Sequence, residues 1–415
     1  MKALKKIKFN NNFIVIFFLG FSSGLPIALI LSTLKAFLTD KGFDIKTIGF
    51  LSLVTIPYSI KFLFAPFIDS MCVPFLTKRI GQRKSWILIN QVFLAVTIFF
   101  LGQSTEIADI KLIALFASLV AFFSASQDVV IDAYRIELFE SQDQGLAASF
   151  YTFGYRIALL ISGAFALFLA DQVDWIATYN SMSLIMILCV LILVFSKETR
   201  IKFHSNNHDF ILWLRQFVVS PLKDFTKKTG WLIILLLIIF FKLGDIFASS
   251  LTMPFLLELG FSKTEIAKIV KTFGLVATIL GAAFGGIMVK KIGIKKSLWI
   301  AIIVQMMSNL AFAYLANVGY NIQILYLTIF AENFSSGIGD AVFVAYLSSL
   351  CNIKFSATQY ATLSSFASLS RSLISSSSGI AASYLGWINF FIFSTFLSIP
   401  TLLFLFIVNR IKNNN

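Results

Sequence analysis

The chain has 415 residues, 58% of them hydrophobic and 13% charged, against about 25% charged in a soluble domain. That composition excludes a soluble enzyme or binding module and requires an integral membrane protein with many spans. The formal charge of +14 would suggest nucleic acid in a soluble chain. Here the basic residues sit in short loops between apolar runs, and no nucleic-acid partner is expected.

The chain opens with MKALKKIKFNNN and an apolar run to about Leu38. That run is too long for a signal-peptide core and no A-x-A site follows, so it reads as a retained first span. Segments able to cross about 30 Å of hydrocarbon fall at 12–38, 45–68, 85–103, 111–135, 145–170 and 174–196, then at 231–259, 263–289, 297–317, 321–350, 356–384 and 387–409. Barrel strands are excluded because runs such as WLIILLLIIFF show no alternation. The expected fold is an all-α polytopic membrane protein of twelve transmembrane helices in two six-helix repeats. Its parts are a bundle at 1–196, a cytoplasmic linker at 197–230 and a bundle at 231–415. Within the linker, FILWLRQFVV is both apolar and basic, the composition of a short helix lying at the membrane surface. Of the 34 Lys and Arg, 23 fall on the side of the termini and 5 on the other, which predicts that both termini are cytoplasmic.

Cys72, Cys189 and Cys351 match no metal or disulfide spacing. His204 and His208, both in the linker, have no third ligand nearby, so neither metal nor cofactor is expected.

The two halves repeat. KRIGQRKS at 78–85 aligns with KKIGIKKS at 290–297, an offset of 212 with five of eight positions identical. The same offset carries Asp128 onto Asp340 and Tyr134 onto Tyr346, and FLTDKGF at 37–43 resembles FLLELGF at 255–261. Parallel six-helix repeats with substrate bound between them are the plan of one class of secondary transporter.

Ala65 and Asp69, followed by Arg79, Gly81, Arg83 and Lys84, resemble the loop between the second and third helices of the major facilitator superfamily. Gly81 permits the turn, and Asp69 with the basic residues can form a cytoplasmic charge latch; a bare topology signal is the alternative. This chain inserts SMCVPFLTK between the Asp and the cluster. In the second half Lys290 stands near the Asp position, so that copy is expected to lack a full latch.

A narrower resemblance follows. SASQDVVIDAYRIE (124–137) closely resembles the fourth-helix motif of the AmpG family of muropeptide permeases. GFSSGLP (20–26), IGFLSLVTIPYSIKFLFAPFID (48–69), GYR (154–156) and ELGFSKTEIA (258–267) resemble that family too. Acetyl-CoA transporters share a weaker form of the fourth-helix motif. The resemblance implies a transporter of the bacterial inner membrane that carries N-acetylglucosaminyl-anhydro-N-acetylmuramyl peptides from periplasm to cytoplasm, driven by protons. It implies a small-molecule substrate, protons and the bilayer as partners, and a monomer is expected. The alternative is a facilitator moving another anionic metabolite, nucleotide-like or CoA-like. An enzyme is not expected, since no membrane-embedded Ser–His–Asp set, metal cluster or phosphate loop is present in the sequence.

The charged residues inside spans are then the candidates for function. At about 1.5 Å per residue, Asp128 lies roughly 25 Å along the fourth span. Asp132 shares its face four residues on, and Arg135 follows one turn later. A charge facing lipid costs about 2.5–3.5 kcal/mol, so these side chains should face the protein interior or a water path. Substrate carboxylates call for cations at mid-depth: Arg156, Arg371 and Lys242, with Gln127 beside them as a polar contact. Structural pairs, Arg156 with Asp128 or Lys242 with Asp245, are the alternatives. Proton coupling needs a carboxylate responsive to burial and to neighbouring charge; Asp128, Asp245, Glu332 and Asp340 are the candidates. Asp132, Arg135 and Glu137 are assigned with Asp69, Arg79, Gly81 and Arg83 to a cytoplasmic gate. Small residues, GAAFGG at 281–286 and the serines of the eleventh span, predict close helix approach.

Overall fold

The computed structural model describes residues 11–43, 51–107, 109–198, 212 and 215–413. Every regular element among the described residues is helical, as a chain in lipid requires if its backbone polar groups are to be satisfied within the segment. Nine helices among them are long and apolar enough to cross a membrane, ten if the bent pair Ile322–Leu350 and Ile353–Ala367 counts as one span.

The repeat read from sequence reappears in the helices. Ile110–Leu138 and Ile322–Leu350 each hold 29 residues and start 212 residues apart. Gln82–Ile107 and Ile294–Val318 also start 212 apart. Each follows a glycine of positive φ, Gly81 at 92° and Gly293 at 80°. Glycine alone enters that region without steric cost, so KRIG and KKIG each end one helix and begin the next.

Two expected spans take another form. Residues 51–70 of the second span are a series of short pieces: Leu51–Thr55, Ile56–Ser59, Lys61–Leu63 and Ala65–Ser70. Pro57 and Pro66 each remove a backbone donor there, which favours interruption over a continuous helix. The eleventh span and the start of the twelfth run together as Ser356–Phe396, broken by a non-helical residue at Gly386 (φ 68°, ψ 164°). The linker contributes a π-helical turn, Arg215–Val219, and a short helix, Ser220–Thr226; His204 and His208 lie outside the described residues.

Small residues set the tightest contacts. A Cβ on Gly154 would stand 1.8 Å from the Phe17 carbonyl oxygen, and one on Gly20 would stand 2.1 Å from that of Tyr151. The helix Asn11–Ala28 and the helix Gln144–Leu160 therefore touch backbone to backbone. Gly281 and Gly337 play the same part between Gly274–Ile292 and Ile322–Leu350.

Contacts divide the chain into two units: residues 1–61, 71–138 and 150–204, and residues 62–70, 139–149 and 205–415. Two short pieces of the first half of the sequence thus belong to the second unit. The first unit's apolar core includes Leu25, Leu29, Leu94, Val120 and Tyr179. The second unit's core includes a cluster of rings, Phe255, Phe312, Phe390 and Phe391, with Phe312 stacked on Phe391 at 5.0 Å between centroids.

Candidate transport site

In the first unit, the polar residues of Asn11–Ala28, Ile56–Ser59, Gln82–Ile107, Ile110–Leu138 and Gln144–Leu160 converge. Gln91 and Gln127 both donate their side-chain amides to Ser22 Oγ, at 3.1 and 3.2 Å, and Ser22 donates to the Leu19 carbonyl at 2.9 Å. Ser22 is thereby used up, while the carbonyl oxygens of both amides are buried without a hydrogen bond. Ser23 Oγ, Tyr58 Oη, Ser124 Oγ, Asp128 Oδ1 and Arg156 Nε are likewise buried with no hydrogen bond of ordinary geometry. Lys61 and Asp132 stand within electrostatic reach of the Asp128 carboxyl. The rings of Tyr151 and Tyr155 stack at 6.3 Å, one turn before and beside Arg156. No ion pair joins Arg156 to Asp128 among the described residues, so that structural alternative does not hold here.

Buried polar atoms ordinarily find partners, and leaving one unmet costs about 1–3 kcal/mol. Gln91, Gln127, Ser23, Tyr58, Ser124 and Asp128 share one neighbourhood, Ser23 beside Asp128 and Ser124 beside Tyr58, and form a set of donors and acceptors suited to a hydroxyl-rich ligand. Lys61, Tyr58 and Ser23 were not singled out in the sequence. They lie in the strings IPYSIKF and FSSG, and only their convergence on Asp128 distinguishes them from ordinary span residues.

The second unit holds its own cluster. Lys242 forms an ion pair with Asp340. Lys242 sits at the break between Trp231–Phe240 and Leu243–Ser249 (φ −107°, ψ 12°), which breaks the i, i+3 geometry a continuous helix would give it with Asp245. Asp245 Oδ2 instead accepts from Ser336 at 3.2 Å. Glu332 accepts from Asn333 at 2.6 Å, and Asn333 Oδ1 accepts from Thr278 at 3.0 Å. Both polar side-chain atoms of Asn309 are buried without a hydrogen bond. A cavity of about 300 Å³ opens beside the ion pair, lined by Lys242, Asp340, Phe343, Tyr360 and Ser364 among others. Arg371 stands on Ser356–Phe396, but its side chain lies outside the described residues.

The residues assigned to a gate separate into distinct groups. In the first unit Arg83 donates from Nε and Nη2 to Glu137 Oε1 at 3.0 and 2.7 Å, with both side chains almost fully buried. Arg135 pairs with Asp132 at 3.3 Å. Glu198 accepts from the Arg83 and Lys84 amides, at 3.3 Å each, and its carboxyl packs against the Gly81 turn. Arg79 is exposed. In the second unit Asp69, 1% exposed, accepts from the amide and hydroxyl of Thr358 at 2.8 and 2.7 Å. Thr358 is the third residue of Ser356–Phe396, so its amide is one of the unpaired donors of a helix start, where a carboxylate is favoured. The second copy of the basic loop has a partner after all: Lys290 meets Asp143 at 2.7 Å. Next to this pair, Ser149 donates to the Ala282 carbonyl at 2.6 Å, and a Cβ on Gly286 would stand 2.7 Å from the Gly145 oxygen.

Helical repeats of matched length, with ionisable residues inside the fourth and tenth spans, follow the plan of a secondary transporter. The profile of the Major Facilitator Superfamily matches residues 16–321 and 235–415. Solved structures agree on the fold: the human organic anion transporter MFSD10 (TM-score 0.69, 14% identity, 95% of this chain and 98% of that one) and the proton:xylose symporter XylE (TM-score 0.65, 14% identity, 95% and 94%). The protein is thus a multi-pass membrane transporter of the major facilitator superfamily. A narrower placement comes from sequence relatives. The chain is 37% identical over 398 residues to the anhydromuropeptide permease of Escherichia coli K12, covering 95% of this chain and 79% of that protein. It is 36% identical over 403 residues to a Rickettsia felis protein carrying the AmpG name, covering 96% of each. Within the superfamily, the chain belongs to the AmpG family.

Proposed function

We propose that this protein carries anhydro-muropeptides from periplasm to cytoplasm across a bacterial inner membrane, by proton-coupled alternating access, and that it is not an enzyme. The observation that carries the reading is the set of buried polar atoms around Gln127 and Asp128, in a chain that matches an anhydromuropeptide permease over 95% of its length. A sugar pair offers hydroxyls that both donate and accept, which suits Ser23, Tyr58, Gln91, Ser124 and Gln127. Peptide carboxylates suit a fork donor, and Arg156 fills that role. Within the second unit, Lys242 and the cavity beside Asp340 are the candidate ligand contacts, and Arg371 stays a candidate from its place in the sequence. Asp128, Glu332, Asp245 and Asp340 are the carboxylates available to exchange a proton as ligand or a neighbouring cation comes and goes. Arg79, Gly81, Arg83, Asp132, Arg135 and Glu137 in the first unit, and Asp69 with Asp143 and Lys290 in the second, are the candidates for a cytoplasmic gate.

Equilibrium binding to the purified protein tests the ligand assignment. Intact anhydro-muropeptide, the sugar pair alone and the peptide alone are compared. The intact ligand should bind best, Arg156→Ala should remove its advantage over the sugar pair, and Gln127→Ala should weaken both sugar-containing ligands. Equal binding of all three, or no binding by a folded monodisperse protein, overturns the assignment.

A further inference from the structure

Beside the linker helix Ser220–Thr226 the second unit carries two adjoining apolar cavities, of about 350 and 250 Å³. They share Leu222, Thr362 and Phe366 as walls. Phe62 and Leu63 close the first, while Phe225, Trp231 and Leu235 close the second. Together they reach the size of a small-molecule site, their walls are mostly apolar, and several of their polar groups are already engaged. Thr362 donates to the Thr358 carbonyl at 2.7 Å, Thr358 is engaged by Asp69, and Thr226 donates to the Lys223 carbonyl at 3.1 Å. Gln359 is spent on the Pro221 carbonyl and on Asp224, at 2.9 Å each, and on the Asn352 amide at 2.6 Å.

Exposed cations neighbour the cavity residues along the chain. Lys223 follows the groove residue Leu222, Lys227 follows Thr226, and Arg215 precedes Val218 by about one turn; all three cations are exposed. The helix's single carboxylate, Asp224, is turned inward onto Gln359 and Asn352 and does not balance them. We infer that the groove is a binding site for one anionic glycerophospholipid, its acyl chain lying against Leu222 and Phe366 and its phosphate held by Arg215, Lys223 and Lys227. An uncharged detergent or a zwitterionic lipid fits the hollow equally well but leaves the cations unmatched. Because Phe62, Leu63 and Pro66 line one side and Thr358 the other, the bound lipid spans the same two segments that Asp69 joins.

The test uses the full-length protein, purified in detergent and stripped of lipid, then titrated with dioleoyl-phosphatidylglycerol or dioleoyl-phosphatidylcholine. Native mass spectrometry counts the lipids retained. The wild type should keep one phosphatidylglycerol in preference to phosphatidylcholine. Lys223→Gln with Lys227→Gln should weaken phosphatidylglycerol by about fivefold for each lysine removed, the worth of one basic side chain at an anionic surface, and leave phosphatidylcholine unchanged. Leu222→Trp, which fills the hollow, should lose retention of both lipids. Equal retention of the two lipids by the wild type, or undiminished phosphatidylglycerol in the double variant, overturns the inference. So does competition by glycerophosphoglycerol without acyl chains, which would assign the cations to a soluble phosphate. A dimer that Leu222→Trp dissociates would assign the groove to a second copy of the chain and also overturn it.

Discussion

Replacing Asp69 by alanine should release residues 62–70 from the helix that starts at Ser356. The carboxylate is nearly fully buried and accepts two hydrogen bonds from Thr358, at 2.8 and 2.7 Å. A hydrogen bond to a charged group contributes about 1.5–3 kcal/mol, so removing both costs at least about 3 kcal/mol. That is a factor of roughly one hundred in the balance between clasped and released states. Asp69→Asn keeps an acceptor oxygen and loses the charge; with neutral bonds about half as strong, its effect should be roughly tenfold. The assay is hydrogen exchange by mass spectrometry on peptides covering 352–362, in protein reconstituted into lipid nanodiscs. Exchange should accelerate in the order wild type, Asp69→Asn, Asp69→Ala, while peptides inside Gln82–Ile107, which belong to the other unit, stay unchanged. Unaltered exchange in a correctly inserted Asp69→Ala protein would refute the reasoning, because the amide would then owe its protection to something other than the carboxylate.

Arg83→Ala should lower thermal stability by about 3–5 kcal/mol, since it removes one partner of a buried ion pair, whereas Arg79→Ala on the exposed surface should stay within about 0.5 kcal/mol; thermal unfolding in detergent separates the two. Gly154→Ala should cost at least about 1–3 kcal/mol by forcing two helices apart, while Gly163→Ala, whose new Cβ would have no neighbour closer than 3.9 Å, should be tolerated; expression and melting temperature check both. A double-mutant cycle on Asp143 and Lys290, both partly exposed, should yield a coupling of about 1 kcal/mol or less. Cys72, in the loop after Ala65–Ser70, should react with a membrane-impermeant maleimide only from the cytoplasmic face. It should also react more slowly than a free thiol near neutral pH, because burial raises its pKa and so depletes the thiolate.

How far the sequence led can be judged from particular residues. Apolar length and the 212-residue repeat were local patterns, so the twin helices and the glycine turns before the third and ninth spans were legible. The interruption of the second span was written in Pro57 and Pro66, but hydropathy averages over such breaks. Partners distant in the chain were not legible. Lys242 reaches Asp340 at a separation of 98, and Asp69 reaches Thr358 at a separation of 289. The nearer candidate, Asp245, accepts from Ser336, and the helix breaks at Lys242 between the two. The Lys290–Asp143 pair was invisible for a related reason, since a departure from the expected Asp looked like the loss of a latch rather than the transfer of its counter-charge to another loop.

Uptake of radiolabelled anhydro-muropeptide into right-side-out membrane vesicles, with and without an inward proton gradient, tests the central claim most directly. Asp128→Asn and Arg156→Ala, checked for normal insertion, are run beside the wild type. The account predicts accumulation that needs the gradient and is lost in both variants. Gradient-independent equilibration would contradict proton coupling, and absence of uptake by an inserted, folded wild-type protein would contradict the substrate itself.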